Sequence, residues 1–454
     1  MELGCQGSVE ESFMEKNRNK AASEETFDAD TIIETDSRNL MRVLLLSVLL
    51  GAFAGLVIWC FLKAVSLCTD LVWETVPAGF GGKGILILLC TLGGLACGVL
   101  HRFFGSYPES LNTVLGKIRK EHYYSYHPMA AMLLCAFCPL VFGASVGPEA
   151  GLAGIIAALC YWVGDNVTFA KANADLYSCV GEAVTLGQIF HSPLFGILAV
   201  EEDEEQLVPD HMPKGWKLLL YALSTASGFA VVWLLNQLFG KAMAGFPGFS
   251  KVPVSITDVF LILLYVPVGF LLFLLYEGCE AVMERFAKLF PPILKEALCG
   301  LVIGLTALVC PMVLFSGEEQ MREMIAGNGG YGILFLIGIC LLKLFMTSFC
   351  LQFGMKGGHF FPLIFACTCM GYALGMLFFA DSAAHAAFAA GVITAAALGA
   401  QMKKPLAVTV LLLLCFPARF LLWGFLSAAV GSGLAVIIEK QKRKAGLKKL
   451  REIT

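Results

Sequence analysis

The sequence predicts an all-α integral membrane protein, and three observations support that prediction. Of the 454 residues, 58% are hydrophobic and 15% are charged, against roughly 25% charged in an ordinary soluble domain. Apolar segments follow one another closely, and several are long enough to cross a hydrocarbon core of about 30 Å. Other apolar segments are short and interrupted by Gly and Pro. A single soluble domain is therefore excluded.

The chain divides into a polar arm, a membrane domain and a basic tail. The arm, residues 1–38, is acidic in places and lacks the basic start and apolar core of a secretory signal. The membrane domain covers residues 39–439, with a first half at about 39–215 and a second half at about 216–439. The tail, residues 440–454, is rich in Lys and Arg, so it is expected to be cytoplasmic. The arm is expected on the same side, in a multi-pass protein of the plasma membrane.

Long apolar segments and broken ones alternate along the membrane domain. Helices of spanning length are expected to begin near Leu40, Gly84, Met129, Trp216, Ile256, Glu296, Gly332 and Phe420. Segments expected to be too short to span alone are Gly151 to Val163, Val180 to Val200, Phe360 to Phe379, and Phe388 to Leu414 with its break at Lys403-Lys404-Pro405. Broken helices at membrane depth must line a cavity or pack on protein. The pattern predicts a transporter or a channel.

The interruptions recur at matching intervals in the two halves. In the first half 45 residues separate Pro148 from Pro193, and in the second 45 separate Phe360 from Pro405. Paired interruptions of this kind point to a binding site where two repeats meet.

Charge, cysteines and histidines exclude several other classes. A net charge of −3 gives no basic field for nucleic acid. Most of the 17 cysteines lie inside apolar runs and are expected to be free packing residues. The seven His residues show neither HExxH nor other ligand spacing, so no metal or cofactor is predicted. A serine protease built on Ser145 or Ser432 lacks a well-placed His partner. The chain is not expected to be an enzyme.

The segment Gly143-Ala-Ser-Val-Gly-Pro-Glu-Ala-Gly151 predicts an anion site built from backbone amides. Gly147, Pro148 and Ala150 form an irregular turn into an apolar helix, whose first amides have no helical partners. Free N–H groups and the helix dipole favour an anion there. Glu149 needs a partner at membrane depth and is expected to compete with the anion, leaving when protonated. The alternative is a Glu that only complements the helix dipole.

Two further segments offer hydrogen-bond donors. In Gly354-Met-Lys-Gly-Gly-His-Phe-Phe-Pro362 the glycines, among them Gly358, free the backbone, and the amides of Phe360 and Phe361 precede another apolar helix. An ordinary turn with aromatic packing is the alternative. In Gly105-Ser-Tyr-Pro-Glu109 the hydroxyl of Ser106 can donate to an anion.

Taken in order, these three segments resemble the signature motifs of the CLC family of chloride channels and chloride/proton exchangers. The family motifs GSGIP, G(K/R)EGP and GxFxP match Gly105 to Pro108, Gly143 to Gly151 and Gly358 to Pro362. The resemblance runs from about Leu40 to Ile438 and implies a CLC-type fold of two inverted-topology halves with broken, tilted helices, assembled as a homodimer. It also implies chloride or a similar small anion and protons as substrates. The anion sites it implies are formed by Ser106, the amides of Phe360 and Phe361 and those near Glu149, with Glu149 as the gating glutamate.

The resemblance also implies an inner proton acceptor, and it has departures. Ungapped counting from Pro193 places the inner acceptor on Asp203, with Glu202 before it; a solvated run of acids at a helix end is the other reading. Glu182 either joins a proton path or is a packed structural residue. The first motif is one residue short, Pro148 replaces a basic residue, and no Tyr follows Ala418 to match the family's anion-coordinating Tyr.

The sequence thus predicts transmembrane anion transport gated by Glu149, coupled to protons. A passive anion channel and, more remotely, a broken-helix carrier for an organic anion are the alternatives. Few acids lie among the apolar segments and no buried cations are expected to match them, so the anion path is expected to consist of backbone amides and helix ends.

Overall fold

Helices make up most of the chain that the structure describes. The computed structural model describes residues 37–80, 82–121, 123–166, 174–189, 192–201, 214–242, 247–249, 252, 254–326, 330–379, 383–413 and 415–451. Of the predicted features, residues 1–36 of the arm, the acids Glu202 and Asp203, and the last three residues of the tail lie outside this part. Within it, regular structure is helical, apart from one isolated antiparallel bridge. The all-α class is therefore confirmed.

Sixteen main helices lie in the described part of the chain. The first eight are α1 (Ser37–Asp70, continuing through a π-turn at Leu71–Thr75 into Val76–Gly79), α2 (Ile85–Phe104), α3 (Leu111–Glu121), α4 (Met129–Val141), α5 (Glu149–Asn166), α6 (Ala174–Ile189), α7 (Pro193–Glu201) and α8 (Lys214–Phe239). The second eight are α9 (Ile256–Ala287), α10 (Pro292–Val309), α11 (Glu318–Ala326), α12 (Ile333–Gln352), α13 (Phe360–Phe378), α14 (Ala383–Met402), α15 (Pro405–Leu412) and α16 (Leu421–Arg451).

The second eight helices repeat the plan of the first eight, so the repeats divide between α8 and α9 rather than at about residue 215. The third helix of each half, α3 or α11, is short, and the fifth, α5 or α13, begins just after a glycine-containing loop. The seventh, α7 or α15, is short and begins with Pro-Leu. Helix α4 ends six residues before Gly147, and α12 ends six residues before Gly358. The matched intervals in the sequence therefore reflect two repeated halves.

Several predicted span lengths were wrong. Nine described helices are long and apolar enough to cross a membrane. Helix α4, predicted to span, has only 13 residues, because the chain turns at Gly143 with a φ of 78°. Helices α13 and α14, predicted to be too short, have 19 and 20 residues. Pro362 lies in the first turn of α13, where its missing N–H has no helical partner to lose, so it does not shorten that helix.

The predicted break at Lys403-Lys404-Pro405 is confirmed. Helix α14 ends at Met402, Lys403 takes a φ of 57°, and α15 begins at Pro405. A positive φ is incompatible with a right-handed helix, so α14 ends before Lys403. Pro405 then occupies the first position of α15, where proline is favoured.

The two halves meet where α2 crosses α10. Each helix carries two glycines four residues apart, Gly94 and Gly98 on α2, and Gly300 and Gly304 on α10. A Cβ added at Gly94 would collide with the backbone of Glu296, and one added at Gly300 would collide with the backbone of α2. Small residues at this spacing let helices approach backbone to backbone. Backbone meets backbone at Gly94 and Gly300, whereas the Glu296 side chain packs over Gly98.

Candidate anion and proton site

The two glycine-containing loops pair with each other at the centre of the protein. The Gly147 amide donates to the Gly358 carbonyl at 2.8 Å, and the Gly358 amide donates to the Gly147 carbonyl at 2.7 Å. Helices α5 and α13 begin two residues after these glycines. The bridge therefore brings two helix N-termini, with their unpaired amides and positive dipole ends, to one place.

Glu149 lies between these two N-termini. Its side chain is buried, with the residue 1% exposed, and its Oε1 accepts a hydrogen bond from the Phe360 amide at 2.9 Å. The backbone amide of Phe361 also interacts favourably with the carboxylate. The second carboxylate oxygen, Oε2, has no hydrogen-bond partner within the described residues. Gly147 and Gly358 pack directly against the carboxylate, because a Cβ added at either glycine would collide with it. The Glu149 carboxylate thus takes the position that a small anion could occupy.

The predicted residues around Glu149 are brought together. Ala150 is buried in the first turn of α5, and Pro148 lies between the bridge and that turn. The assignment of Gly147, Gly358 and the Phe360 and Phe361 amides to an anion site stays a prediction, now with a shared location.

A cavity of about 500 Å³ borders the Glu149 loop, with Val146 and Pro148 in its wall. Its other lining includes acidic and basic side chains: Asp70, Glu74, Lys241, Glu318, Glu319 and Arg322. Glu318, at the start of α11, is 4% exposed and lies within electrostatic reach of Glu149. A water-accessible space of this kind can deliver ions and protons to the loop.

The Ser106 turn lies beside the second loop rather than at the bridge. Ser106 is exposed, and its carbonyl accepts from Lys356 Nζ at 3.2 Å. The next carbonyl, that of Tyr107, lies 2.7 Å from His101 Nε2. The structure therefore connects this turn to the segment before α13, and the role of the Ser106 hydroxyl stays a prediction.

The expectation that the protein has no buried cation was wrong. Lys343 on α12 is fully buried and donates from Nζ to the carbonyls of Val313, Leu314 and Phe315 at 3.1, 3.1 and 2.6 Å. It also lies 5.6 Å from the centroid of the Phe365 ring. The carbonyls at the end of the turn satisfy the ammonium group without a carboxylate. The signal was present in the sequence, since Lys343 is the single charged residue from Gly332 to Gln352.

Tyr276 on α9 was also missed. It is buried, its hydroxyl has no hydrogen-bond partner within the described residues, and its ring stacks on His359 at 5.5 Å. His359 directly precedes α13. Helix α9 carries two buried tyrosines, Tyr265 and Tyr276, and nothing in the sequence tells them apart, so only the fold could identify the hydroxyl near the site.

The surroundings of Ser145 and Glu182 assign neither residue a role in chemistry. The Ser145 hydroxyl lies 3.1 Å from that of Thr347, and its amide donates to Cys350 Sγ at 3.5 Å. Neither partner is a histidine, which agrees with packing rather than nucleophilic chemistry. Glu182 is half-buried on α6, and both readings of it stay open.

The fold and the paired loops define a class: membrane transport proteins whose two repeated halves meet at opposed helix ends. Residues 93–436 match the family described as voltage gated chloride channel. The chain therefore belongs to the CLC family, whose members are transporters or channels rather than enzymes, as the sequence predicts.

The chain is similar to curated and solved proteins at low identity. YfeO of Salmonella paratyphi A, named for ion transport, is 22% identical over 351 residues, covering 75% of this chain and 81% of that protein. YfeO of Escherichia coli O7:K1 is 21% identical over 355 residues, covering 75% and 80%.

Two solved structures share the fold. A slow cyanobacterial Cl⁻/H⁺ antiporter matches with a TM-score of 0.73 at 17% identity, covering 88% of this chain and 98% of that one. A CLC-type fluoride/proton antiporter matches with a TM-score of 0.68 at 18% identity, covering 88% and 97%. These matches confirm the CLC-type fold of inverted halves.

Proposed function

We propose that the chain carries a small inorganic anion, chloride first, across the membrane in exchange for protons, with Glu149 as the gate. The observation that carries this proposal is the 2.9 Å hydrogen bond from the Phe360 amide to Glu149 Oε1. The protein is expected to act as a homodimer in the plasma membrane, with both termini cytoplasmic.

The chemistry of the site supports a gate that responds to protonation. An ionised Glu149 is held by amides that an anion also needs, so carboxylate and anion exclude one another. Protonation removes the negative charge and with it most of the attraction to the helix ends. The neutral side chain then leaves, the anion takes its place, and the proton travels with the side chain. Anion flux is therefore expected to rise as pH falls.

The similar antiporters support coupling, because one is titled a Cl⁻/H⁺ antiporter and the other a fluoride/proton antiporter. Chloride and fluoride are both small anions that backbone amides can bind without a charged side chain.

The test is anion flux with simultaneous proton measurement in proteoliposomes of the purified full chain. Glu149→Gln is the neutral isostere, and the exposed Glu284→Gln, paired on the protein surface with Lys288 at 2.7 Å, is the matched control. In the wild type and in Glu284→Gln, we expect a chloride gradient to drive protons in the direction opposite to chloride. Anion flux should rise at acid pH. Glu149→Gln is expected to keep anion flux and lose both proton movement and pH dependence.

Each other result points to a different function. Wild-type chloride flux without protons would identify a passive channel. An unchanged pH dependence in Glu149→Gln would rule out the gate. Competition by fluoride, nitrate and small carboxylates separates an inorganic-anion path from a carrier for organic anions, because the latter requires carboxylates to compete best.

A further inference from the structure

A pair of ionisable side chains, one His and one Glu, is buried at a place separate from Glu149. His101 lies in the last turn of α2 and Glu296 in the first turns of α10, with Nδ1 and Oε1 2.8 Å apart. Their side chains are 6% and 3% exposed. One residue comes from each half of the protein, beside the glycine crossing of α2 and α10. Buried ionisable groups in a membrane protein are costly and mark functional sites by default.

Counting donors and acceptors shows that this pair holds a proton. His101 Nε2 lies 2.7 Å from the Tyr107 carbonyl, and a carbonyl only accepts, so Nε2 must carry hydrogen. Nδ1 faces Glu296 Oε1 at hydrogen-bonding distance. That contact needs a second hydrogen, either on Nδ1 of an imidazolium or on the carboxyl of Glu296. Without it, the lone pairs of a neutral imidazole and a carboxylate would face each other at 2.8 Å.

The pair contacts two of the three predicted motif segments. Through Tyr107 it holds the Ser106 turn, and Glu296 packs against Gly354, where an added Cβ would meet the Glu296 side chain. Gly354 opens the segment that ends at Phe360. A change in the pair therefore reaches both the Ser106 turn and the loop that supplies the Phe360 amide.

The surroundings leave the proton to the pair. Glu296 Oε2 is buried and has no hydrogen-bond partner within the described residues. The titratable and charged groups that face the pair from the packed elements are Cys97 on α2, Cys135 on α4, Cys299 on α10 and Lys356 before α13. Lys356 in turn faces Lys295 and Glu109 and donates to the Ser106 carbonyl. Thiols in apolar surroundings stay neutral, so His101 and Glu296 are the groups that exchange the proton.

We propose that His101 and Glu296 form a proton-binding site that controls the Ser106 turn. With the proton bound, imidazole and carboxyl are joined and Nε2–H holds the Tyr107 carbonyl. When the proton leaves to water or to the transport path, the two lone pairs repel, the imidazole turns, and the Tyr107 carbonyl is released. This inference rests on the proposed proton-coupled function.

The test uses variants that fix the protonated arrangement. In Glu296→Gln the amide N–H donates to Nδ1 of a neutral His101, which still donates from Nε2, so the contact persists without an exchangeable proton. His101→Gln keeps a donor for Tyr107 and removes the imidazole. The matched control is His385→Gln, because His385 and Asp258 form another His–carboxylate contact, at 2.7 Å, outside the three motif segments.

We expect Glu296→Gln to keep anion flux and to lose proton movement, because the amide has no exchangeable proton to give to the path. His101→Gln should do the same and His385→Gln should not. Infrared difference spectra of the full chain, recorded across pH, should show a carboxyl or imidazolium signal in the wild type that Glu296→Gln removes and Glu149→Gln leaves.

The outcomes separate this inference from the proposed function. An unchanged proton-to-anion ratio in Glu296→Gln, or an equal loss in His385→Gln, overturns the inference while wild-type coupling upholds the proposed function. If the wild type moves no protons, the proposed coupling fails, and the infrared signal alone decides whether the pair binds a proton. A missing signal then overturns the inference too.

Discussion

The turns that follow α2 and α10 hold matching places in the two halves but are fixed in different ways. The second-half turn, Cys310–Gly317, is held by Lys343 of its own half, fully buried and bound to three carbonyls. The first-half turn, Gly105–Glu109, is held by Lys356 of the other half and by His101, whose partner Glu296 also belongs to the other half. The first-half turn is also tied to its own half through Glu109, which binds Lys117 and Tyr124. The second-half turn is thus a fixed part of the core, while the first-half turn adds contacts between halves that we expect protons to change.

The paired loops show the same division. Both supply a glycine to the bridge and the first amides of a helix, but the first-half loop carries the carboxylate of Glu149 where the second-half loop offers the bare amide of Phe360. The repeated backbone therefore forms the site, and a side chain of the first half, Glu149, supplies an ionisable group.

The largest effect is expected from making the second half resemble the first at Lys343. Counting back 15 residues from each bridge glycine gives Lys343 in the second half and Met132, also buried, in the first. Lys343→Met leaves three carbonyls without their donor, and each unsatisfied buried group costs about 1–3 kcal/mol. We expect loss of monodisperse protein in size-exclusion chromatography and a lower unfolding temperature.

Lys356→Met is the control for that prediction, because Lys356 is half-buried and binds one carbonyl. It should remain monodisperse. If Lys343→Met proves as stable as Lys356→Met, then the second-half turn is not held by its lysine and the contrast between the turns fails.

A smaller effect is expected from adding a methyl group beneath the Glu149 carboxylate. A Cβ at Gly358 would overlap the carboxylate carbon, so Gly358→Ala should displace the side chain from the Phe360 amide. Overpacking costs about 1–3 kcal/mol, and anion flux should become independent of pH. In Glu149→Ala the space is free, so adding Gly358→Ala to it should change flux and melting temperature little. Additive effects in this double-mutant cycle would contradict the overlap.

The smallest effect is expected from removing one of two hydroxyl groups near the site, one from each half. Ser106 belongs to the first half, and Tyr276, with an unpartnered buried hydroxyl, belongs to the second. Removing one neutral donor costs about 0.5–1.5 kcal/mol. Chloride affinity, measured by calorimetry, should therefore weaken by about 2- to 13-fold for whichever donor contacts the anion. Comparing Ser106→Ala with Tyr276→Phe tells which half supplies it; no change in either would leave backbone amides as the ligands.

The fold class was predictable because apolar composition and segment length are properties of the sequence itself. The lengths of α4, α13 and α14 were not, because a Gly or Pro acts according to its place: Pro362 starts a helix, whereas Gly143 ends a run by its positive φ. The residues around Glu149 were predictable as two of the three motifs, yet the bridge from Gly147 to Gly358 was not, since it joins positions that only the fold brings together.

The same limit hid the second ionisable pair. His101 and Glu296 are 195 residues apart, and each by itself looks like an ordinary residue at a helix end. Lys343 is different, because a single charge in a long apolar run is visible in the sequence and its burial follows from the run around it.

The glycine crossing of α2 and α10 constrains how such a protein can work. Two helices in backbone contact at Gly94 and Gly300 cannot slide or tilt past each other without a collision. Rocking one half against the other would require this backbone joint to separate. We therefore expect turnover to use local rearrangement of side chains and loops around the joint.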